Sequence, residues 1–390
     1  MPWEETTVMN EKERFVSLHE MNFMTMSELC RRFKISRVSG YKLLNNYKKH
    51  GEKALQDLPK AHLDHPLKTP KEVEDDILRF RGLHKTWGAK KIRHLMLDDW
   101  EADSVPSVTT VNGILKRHGL VQPRKPRINR IGVINPHFDP ANPNDIWSTD
   151  FKGKFRMKNH EYCNPLTIAD SKSRIVFAVE ALERPTTELC IPVFERVFRE
   201  NGLPLAIHSD NGSPFGCVNS LRRMTHLSAW FMDLGITPVY SDPGCPTQNG
   251  RHERMHRDLK SAATRPAGTC LADQQCKFDK FIREFNTIRP HEALDMRRPA
   301  QVHVMSTREY HGRIYDWDYK EDLTVRMVSR NGAIRWKTDD WIMITSALNG
   351  KFVGMKEVED GVWELYYRHV LLGYYSEQTR RTYEVETFKL

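Results

Sequence analysis

The sequence predicts a multidomain chain: an all-α amino-terminal part, a central α/β layer built on a mixed sheet, and a small all-β barrel towards the end. Three observations carry this. Amphipathic helical periodicity with Ser caps and Gly stops runs through residues 11–119. From Asp145 short apolar strands alternate with helices. From Val325 to Tyr375 short strands are broken at Asn331-Gly332, Asn349-Gly350 and Asp360-Gly361. A chain of 390 residues exceeds one ordinary core. The expected division is 1–58 and 68–122 (two helical units), 123–142 (a basic linker), 143–300 (the α/β core) and 322–378 (the barrel).

Lys and Arg number 60 against 51 Asp and Glu, a formal charge of +9, which favours an anionic polymer as partner. No apolar run approaches the ~20 residues of a membrane span, and Met1-Pro2-Trp3-Glu4-Glu5 lacks the order of a signal peptide. The expectation is a soluble, intracellular protein with no membrane partner. Seven cysteines are scattered with no Cys-x-x-Cys, so neither a disulfide framework nor a Cys-based zinc site is expected. His62-Leu63-Asp64-His65 has no cysteine pair near it.

Taking the elements in order, Glu11 to Met21 is periodic in Phe15, Leu18 and Met21. Met26 to Phe33 follows, with Ser27 as expected cap and Leu29, Cys30 and Phe33 inward. Ser36 caps a helix through Lys49 that Gly51 stops. Short helices and a tight turn leading into a helix form the helix-turn-helix arrangement, in which Arg37, Ser39, Tyr41 and Lys42 would face base edges and phosphates. A small helical packing unit is the plainer alternative. The theme repeats in Lys71–Leu83, Gly88–Leu97 and Ser107–Arg117, where Thr109, Thr110, Asn112, Lys116 and Arg117 suit a second recognition helix. Arg124, Lys125 and Arg127 lie in a basic stretch between prolines, either a solvated linker or one that tracks phosphates.

In the core, strands are expected at 146–151, 165–170, 174–180, 205–210 and 237–240. Helices are expected at 187–201, around 221–234, in the stretch Gln248–Lys260 with Glu253 near its start, and over 273–287. Five strands then make the terminal barrel, and 378–390 reads as a polar tail.

Three acids stand out by position. Asp150 lies in the first core strand and Asp210 ends the fourth, at the edge where α/β sheets collect ligands. Glu253 opens a helix that carries His256, Arg257 and Lys260 on the same face, at i+3, i+4 and i+7. A solvated ion pair is the bland interpretation of that face. Separated carboxylates that converge are instead what hard divalent ions require, and a core without ions would avoid such a cluster. Asp170 and Asp242 are rival acids, both assigned to turn chemistry. His208 and His256 are read as contact or packing residues rather than metal ligands.

Trp147-Ser148-Thr149-Asp150-Phe151, His208-Ser209-Asp210-Asn211-Gly212-Ser213-Pro214-Phe215 and Pro246-Thr247-Gln248-Asn249-Gly250-Arg251-His252-Glu253 resemble the three signatures of the DDE integrase core. Retroviral integrases and many insertion-sequence transposases share it, and the architecture is most similar to the IS481-like branch. The resemblance implies an RNase H-like core followed by an SH3-like barrel, and a transposase binding terminal inverted repeats, cleaving 3′ ends and transferring strands into target DNA. It implies Asp150, Asp210 and Glu253 as catalytic ligands of two Mg²⁺ ions (Mn²⁺ as substitute), with no zinc. Arg257 and Lys260 would grip the end DNA, with Gln248 and Asn249 beside the reacting strand. The implied partners are double-stranded DNA and further copies of the chain, a dimer or tetramer on paired ends. A prokaryotic, cytoplasmic, nucleoid-associated setting follows from the same resemblance. A catalytically silent DNA-binding regulator of the same architecture is the alternative. Asp210 and Glu253 stand farther apart than in the retroviral pattern, which places extra residues in 216–229.

Overall fold

In the computed structural model, residues 8–55, 68–121, 140–217, 220–241, 250–337 and 340–385 are described. They fall into two compact units, 1–71 and 72–390.

The first unit is three helices, α1 (Val8–Glu20), α2 (Met26–Arg32) and α3 (Arg37–His50), closed by a 3₁₀ turn at Gly51–Leu55. Phe15, Val16, Leu29, Cys30, Leu44 and Leu55 form its core. The cap of α2 is Thr25 rather than the expected Ser27: Glu28 reaches back to the Thr25 N–H and hydroxyl at 2.9 and 2.8 Å, a capping box. Ser36 caps α3 by accepting the Ser39 N–H at 3.1 Å. α3 packs tightly at Gly40, where a Cβ would meet Cys30 Sγ at 2.8 Å.

The second unit opens with a similar trio, α4 (Lys71–Leu83), α5 (Ala89–Asp99) and α6 (Val108–Arg117), around Ile77, Ile92, Met96, Val111, Ile114 and Leu115. Ser107 caps α6 through the Thr110 N–H. This trio is joined to the core by His84–Glu284 (2.8 Å), Lys90–Glu292 (3.5 Å) and Arg298–Asp98.

The core sheet contains β1 (Ile146–Phe151), the two-residue β2 (Phe155–Arg156), β3 (Tyr162–Asp170), β4 (Val176–Leu182), β5 (Ala206–Ser209) and β6 (Thr237–Tyr240). Its order is β4-β3-β1-β5-β6, with β2 extending the β1 edge of β3. β1 and β4 run antiparallel to β3, and β5 and β6 continue parallel to β1, so the sheet is mixed. Helices cover both faces. α7 (Thr187–Asn201) and α8 (His226–Asp233) bury Phe194, Phe198 and Phe231 against Trp147, Ile168 and Ile207. α9 (Gly250–Ala263) and α10 (Leu271–Arg283) pack Leu259, Phe278 and Phe281 on Ala169, Val176 and Val179.

The helix expected around 221–234 is shorter. A 3₁₀ turn at Leu221–Arg223 precedes α8, and Arg222 and Arg223 take positive φ (52° and 53°) that an α-helix cannot continue. Likewise α10 ends in a π-turn at Glu284–Ile288, where Asn286 exchanges hydrogen bonds with the N–H and C=O of Val176.

Where five strands were expected, the described residues of the last domain form seven, in two sheets. β7 (Thr324–Met327), β10 (Phe352–Glu359), β11 (Val362–Tyr367), β12 (Val370–Ser376) and β13 (Arg381–Tyr383) form one antiparallel sheet; β8 (Ala333–Arg335) and β9 (Trp341–Met343) form the other. Part of the stretch read as a tail, Arg381–Tyr383, is thus an edge strand. Among the described residues no helix is long and apolar enough to cross a membrane.

This domain is fused to the core. Met224, Ala229 and Met232 share a hydrophobic cluster with Ile334, Leu365 and Tyr367. Within it Asp233, its side chain 1% exposed, takes Lys351, the Tyr367 hydroxyl and Arg368 Nε (2.9 Å) as partners. Removing one member of a buried charged cluster strands the others without compensation. Asp233→Ala should therefore cost about 3–5 kcal/mol, read as a lowered urea midpoint. A midpoint within error of wild type would show the cluster to be energetically idle.

Candidate active site

β1 and β5 pair in parallel with Ser148 opposite His208. Two residues further on, Asp150 lies within β1 and Asp210 directly follows β5, so both carboxylates arise at the same level and on the same side of the paired chains. In β1, Trp147 turns into the α7–α8 core while Ser148 and Asp150 point the other way, towards α9. Glu253 comes from the first turn of α9.

Asp150 feels the charge of both other acids. The Asp150 carboxyl, 19% exposed, is pushed up to about 7, first by burial and next by the negative charge of Asp210, with Glu253 adding to it. Among the described residues no group of three His, Cys, Asp or Glu side chains forms a ready metal cage. The acids are thus close enough to repel without enclosing a common point. An all-oxygen donor set held in mutual repulsion fits hard divalent cations.

Beneath the acids lies a network of neutral groups. The Thr167 hydroxyl donates to the Asp150 carbonyl at 2.7 Å, and its oxygen also lies 2.6 Å from His252 Nε2 and 2.8 Å from His256 Nε2. A hydroxyl has one proton, so both imidazoles must donate through Nε2. His252 Nδ1 then accepts from Ser148 Oγ at 2.9 Å, and His256 Nδ1 presents a lone pair towards Asp150 Oδ2 at 3.7 Å. Burial pushes His256 down to about 3, and holds His252 far below its ordinary range. His256 therefore offers Asp150 no positive charge. His208, 4% exposed and lowered to about 4 by burial, hydrogen-bonds Ser241 Oγ at 3.0 Å. His208 and His256 are thus both buried and neutral.

Asp210 is braced on its own loop. The Gly212 N–H donates to its Oδ1 at 3.2 Å, and a Cβ on Gly212 would press on Oδ2 at 3.2 Å. Next to it, Asn211 Oδ1 accepts from Arg223 Nη1 at 2.7 Å, while Asn211 Nδ2 donates to the Ser241 carbonyl at 2.8 Å. Arg223, Thr167, His252 and Lys152 are not singled out by the sequence. Lys152 is lowered by burial and then by the nearby Lys260. Only the alternation of β1 and the i, i+4 spacing of His252 and His256 hint at any of them.

Arg257 and Lys260 are exposed on the Glu253 flank of α9. Arg37, Ser39, Tyr41 and Lys42 are exposed on α3, and Thr109, Thr110, Asn112 and Lys116 on α6. Arg117 is exposed as well and pairs with Glu74 at 3.4 Å. Asp170 performs turn chemistry, accepting from the N–H of Asn144 and from the N–H and hydroxyl of Ser173. Arg124, Lys125, Arg127, Asp242, Gln248 and Asn249 lie outside the described residues.

This strand order, with acids ending adjacent parallel strands and a third on a crossing helix, defines an RNase H-like core. Residues 140–246 and 234–299 each match a family model described as integrase core domain. The central domain is accordingly an integrase core of the rve superfamily. The chain is 23% identical over 242 residues to the insertion element IS476 uncharacterized 39.2 kDa protein of Xanthomonas euvesicatoria, covering 60% of this chain and 66% of that one. It is 24% identical to the insertion element IS407 uncharacterized 31.7 kDa protein of Burkholderia multivorans, covering 42% and 56%. The chain thus spans less than two thirds of each of these relatives. Among solved structures, the HTLV-2 integrase catalytic core domain in complex with magnesium aligns with 43% of this chain and all of that one, at 19% identity and a TM-score of 0.34.

A carboxyl raised in the folded state binds a proton that the unfolded chain has already released, so its contribution to stability is lost as pH rises from about 4 through 7. The buried neutral histidines act oppositely, because only the unfolded chain protonates them below about 6.5. The difference between Asp150→Asn and wild type isolates the first effect. In the presence of EDTA the variant should be the more stable, by a margin that widens as pH is raised from about 5 to about 7. A margin in thermal midpoint that is flat or narrows with pH would contradict the repulsion.

Proposed function

We propose that this chain is a DDE-type DNA transposase, which binds the terminal repeats of an insertion element, cleaves 3′ ends and joins them to target DNA. What supports this reading is that Asp150 and Asp210 arise side by side from paired strands of an integrase core and that Asp150 feels the charge of both Asp210 and Glu253. Half-burying Asp150 beside two further acids costs stability, and a reaction that works through cations is the reason to keep them.

Asp150, Asp210 and Glu253 would hold two divalent ions, Mg²⁺ or Mn²⁺. Such ions when bound activate an attacking oxygen and stabilise the leaving one. The chain's own residues do the rest. Arg257 and Lys260 lie one and two turns beyond Glu253 on its flank and draw the phosphate backbone to the acids. Lys152, close to both Asp150 and Lys260, adds a cation at the same edge. The neutral His252–Thr167–His256 floor fixes the β1 carbonyl of Asp150 without adding charge that would compete for the acids. Asn211 and Arg223 hold the Asp210 turn against the end of β6.

DNA recognition falls to the two helical trios. α3 offers Arg37, Ser39, Tyr41 and Lys42, and α6 offers Thr109, Thr110, Asn112 and Lys116, as exposed polar rows on capped helices suited to a major groove. Two such readers in series match a terminal repeat, and two ends joined together call for at least two copies of the chain.

The test is Mg²⁺-dependent joining of labelled end oligonucleotides to a plasmid. Asp210→Asn should abolish joined product while end binding stays within about twofold, since losing the reaction leaves phosphate contacts in place. Joining retained by that variant would sink the acid assignment. Wild-type binding with no joining would favour a silent regulator, and hydrolysis without joining a nuclease. Arg37→Ala with Lys42→Ala should weaken end binding and lower its salt slope by about one for each phosphate no longer neutralised; binding unchanged in affinity and salt dependence would remove α3 from the interface.

A further inference from the structure

A second polar hollow lies on the other flank of α9. Positions 251, 254, 255 and 258 sit roughly 160° round the helix from 253, 256, 257 and 260, at ~100° per residue. Arg254, Met255 and Asp258 line a cavity of about 360 Å³ there, closed by Lys91 of α5 and by Arg289 and His291 beyond the π-turn. At roughly 30 Å³ of liquid volume per water, it has room for a phosphate group with several waters.

The acids in the wall are already engaged. Asp258 pairs with Arg289 at 2.6 Å, Glu292 with Lys90 at 3.5 Å, and Asp170 with two N–H groups and a hydroxyl. Two of the lining cations, Lys91 and Arg254, are not matched in the same way. Lys91 has its ammonium 5.9 Å from the Trp87 ring, and neither it nor Arg254 has an ion-pair partner among the described residues. The Arg289 Nε–H is buried with no acceptor. A buried donor without an acceptor costs free energy, as does a half-buried ammonium whose neighbouring acids, Asp258 and Glu292, are already paired with Arg289 and Lys90; an anion would complete both. Burial and the neighbouring Arg289 already lower Lys91 to about 8. Arg289 owes its place to the π-turn, a helix irregularity common at functional sites, which Asn286 pins to the β4 backbone.

We propose that this cavity is a phosphate site, separate from the three acids, that takes a backbone phosphate of the bound duplex. Lys91 belongs to the second helical trio and Arg254 and Arg289 to the core, so one phosphate would tie the DNA-reading unit to the catalytic unit. The source of the phosphate rests on the transposase reading, whereas the anion chemistry does not.

Two measurements on the full chain separate these. In the first, inorganic phosphate is compared with chloride at equal ionic strength. It should raise the thermal midpoint of wild type by about 2 °C or more, and of Lys91→Gln and Arg254→Gln by less than half as much. Lys91→Arg should keep the shift, and midpoints in chloride report whether each variant folds. No phosphate-specific shift in wild type, or equal shifts in the folded Gln variants, overturns the site. In the second, the salt slope of duplex binding should fall by about one in Lys91→Gln, with phosphate competing. An unchanged slope overturns the duplex as source while leaving the anion site standing. Absence of strand joining would bear on the proposed reaction alone, because the phosphate shift is read without it.

Discussion

The parallel pairing of β1 with β5 is the constraint on which the site depends. It brings Asp150, half-buried at the rim of an apolar core, beside the level of Asp210, and the first turn of α9 brings Glu253 near enough for Asp150 to feel its charge. Left alone, such a group would push apart or take up protons. The fold resists by fixing the backbone under each acid: Thr167 holds the Asp150 carbonyl, and the Gly212 N–H with the Asn211–Arg223 contact holds the Asp210 turn. Hydrophobic packing of α7 and α8 on one face, and of α9 and α10 on the other, supplies the free energy against which this repulsion is tolerated.

The floor of the site is polar and uncharged. Ser148, Thr167, His252 and His256 satisfy one another across two strands and a helix, and burial keeps both imidazoles neutral. A single proton on Thr167 dictates both tautomers, so the histidines are locked in orientation as well as in charge. α9 thereby has three distinct flanks: one buried on the sheet, one carrying Glu253 with Arg257 and Lys260, and one lining the basic cavity.

The terminal β domain also bears on the site. Its Asp233 cluster and shared apolar core weld it to α8, while Thr345 and Glu384 hold Ser220 and Arg222 in the turn that aims Arg223 at Asn211. The positive φ of Arg222 and Arg223 is strain that only this surrounding contact explains.

The sequence by itself determined the order of elements and singled out three acids as candidates. Caps such as Ser36 and Ser107, glycine stops and period-2 strands are local signals, and they located α3, α6, α7 and the five main core strands. Asp150, Asp210 and Glu253 were conspicuous because acids ending strands or opening a basic helix are unusual. Where local signals compete, the sequence left the outcome open or misled: the helix around 221–234, expected either longer or broken, is broken, with 221–223 held by the β domain and Thr225 capping α8, and Thr25 took the cap expected of Ser27. Tertiary structure alone decided the charge state of Asp150, the tautomers of His252 and His256, the brace from Arg223, and the meeting of Lys91 with Arg289 across 198 positions of chain. Each depends on burial and on distances between remote segments, and both arise only when the chain closes on itself.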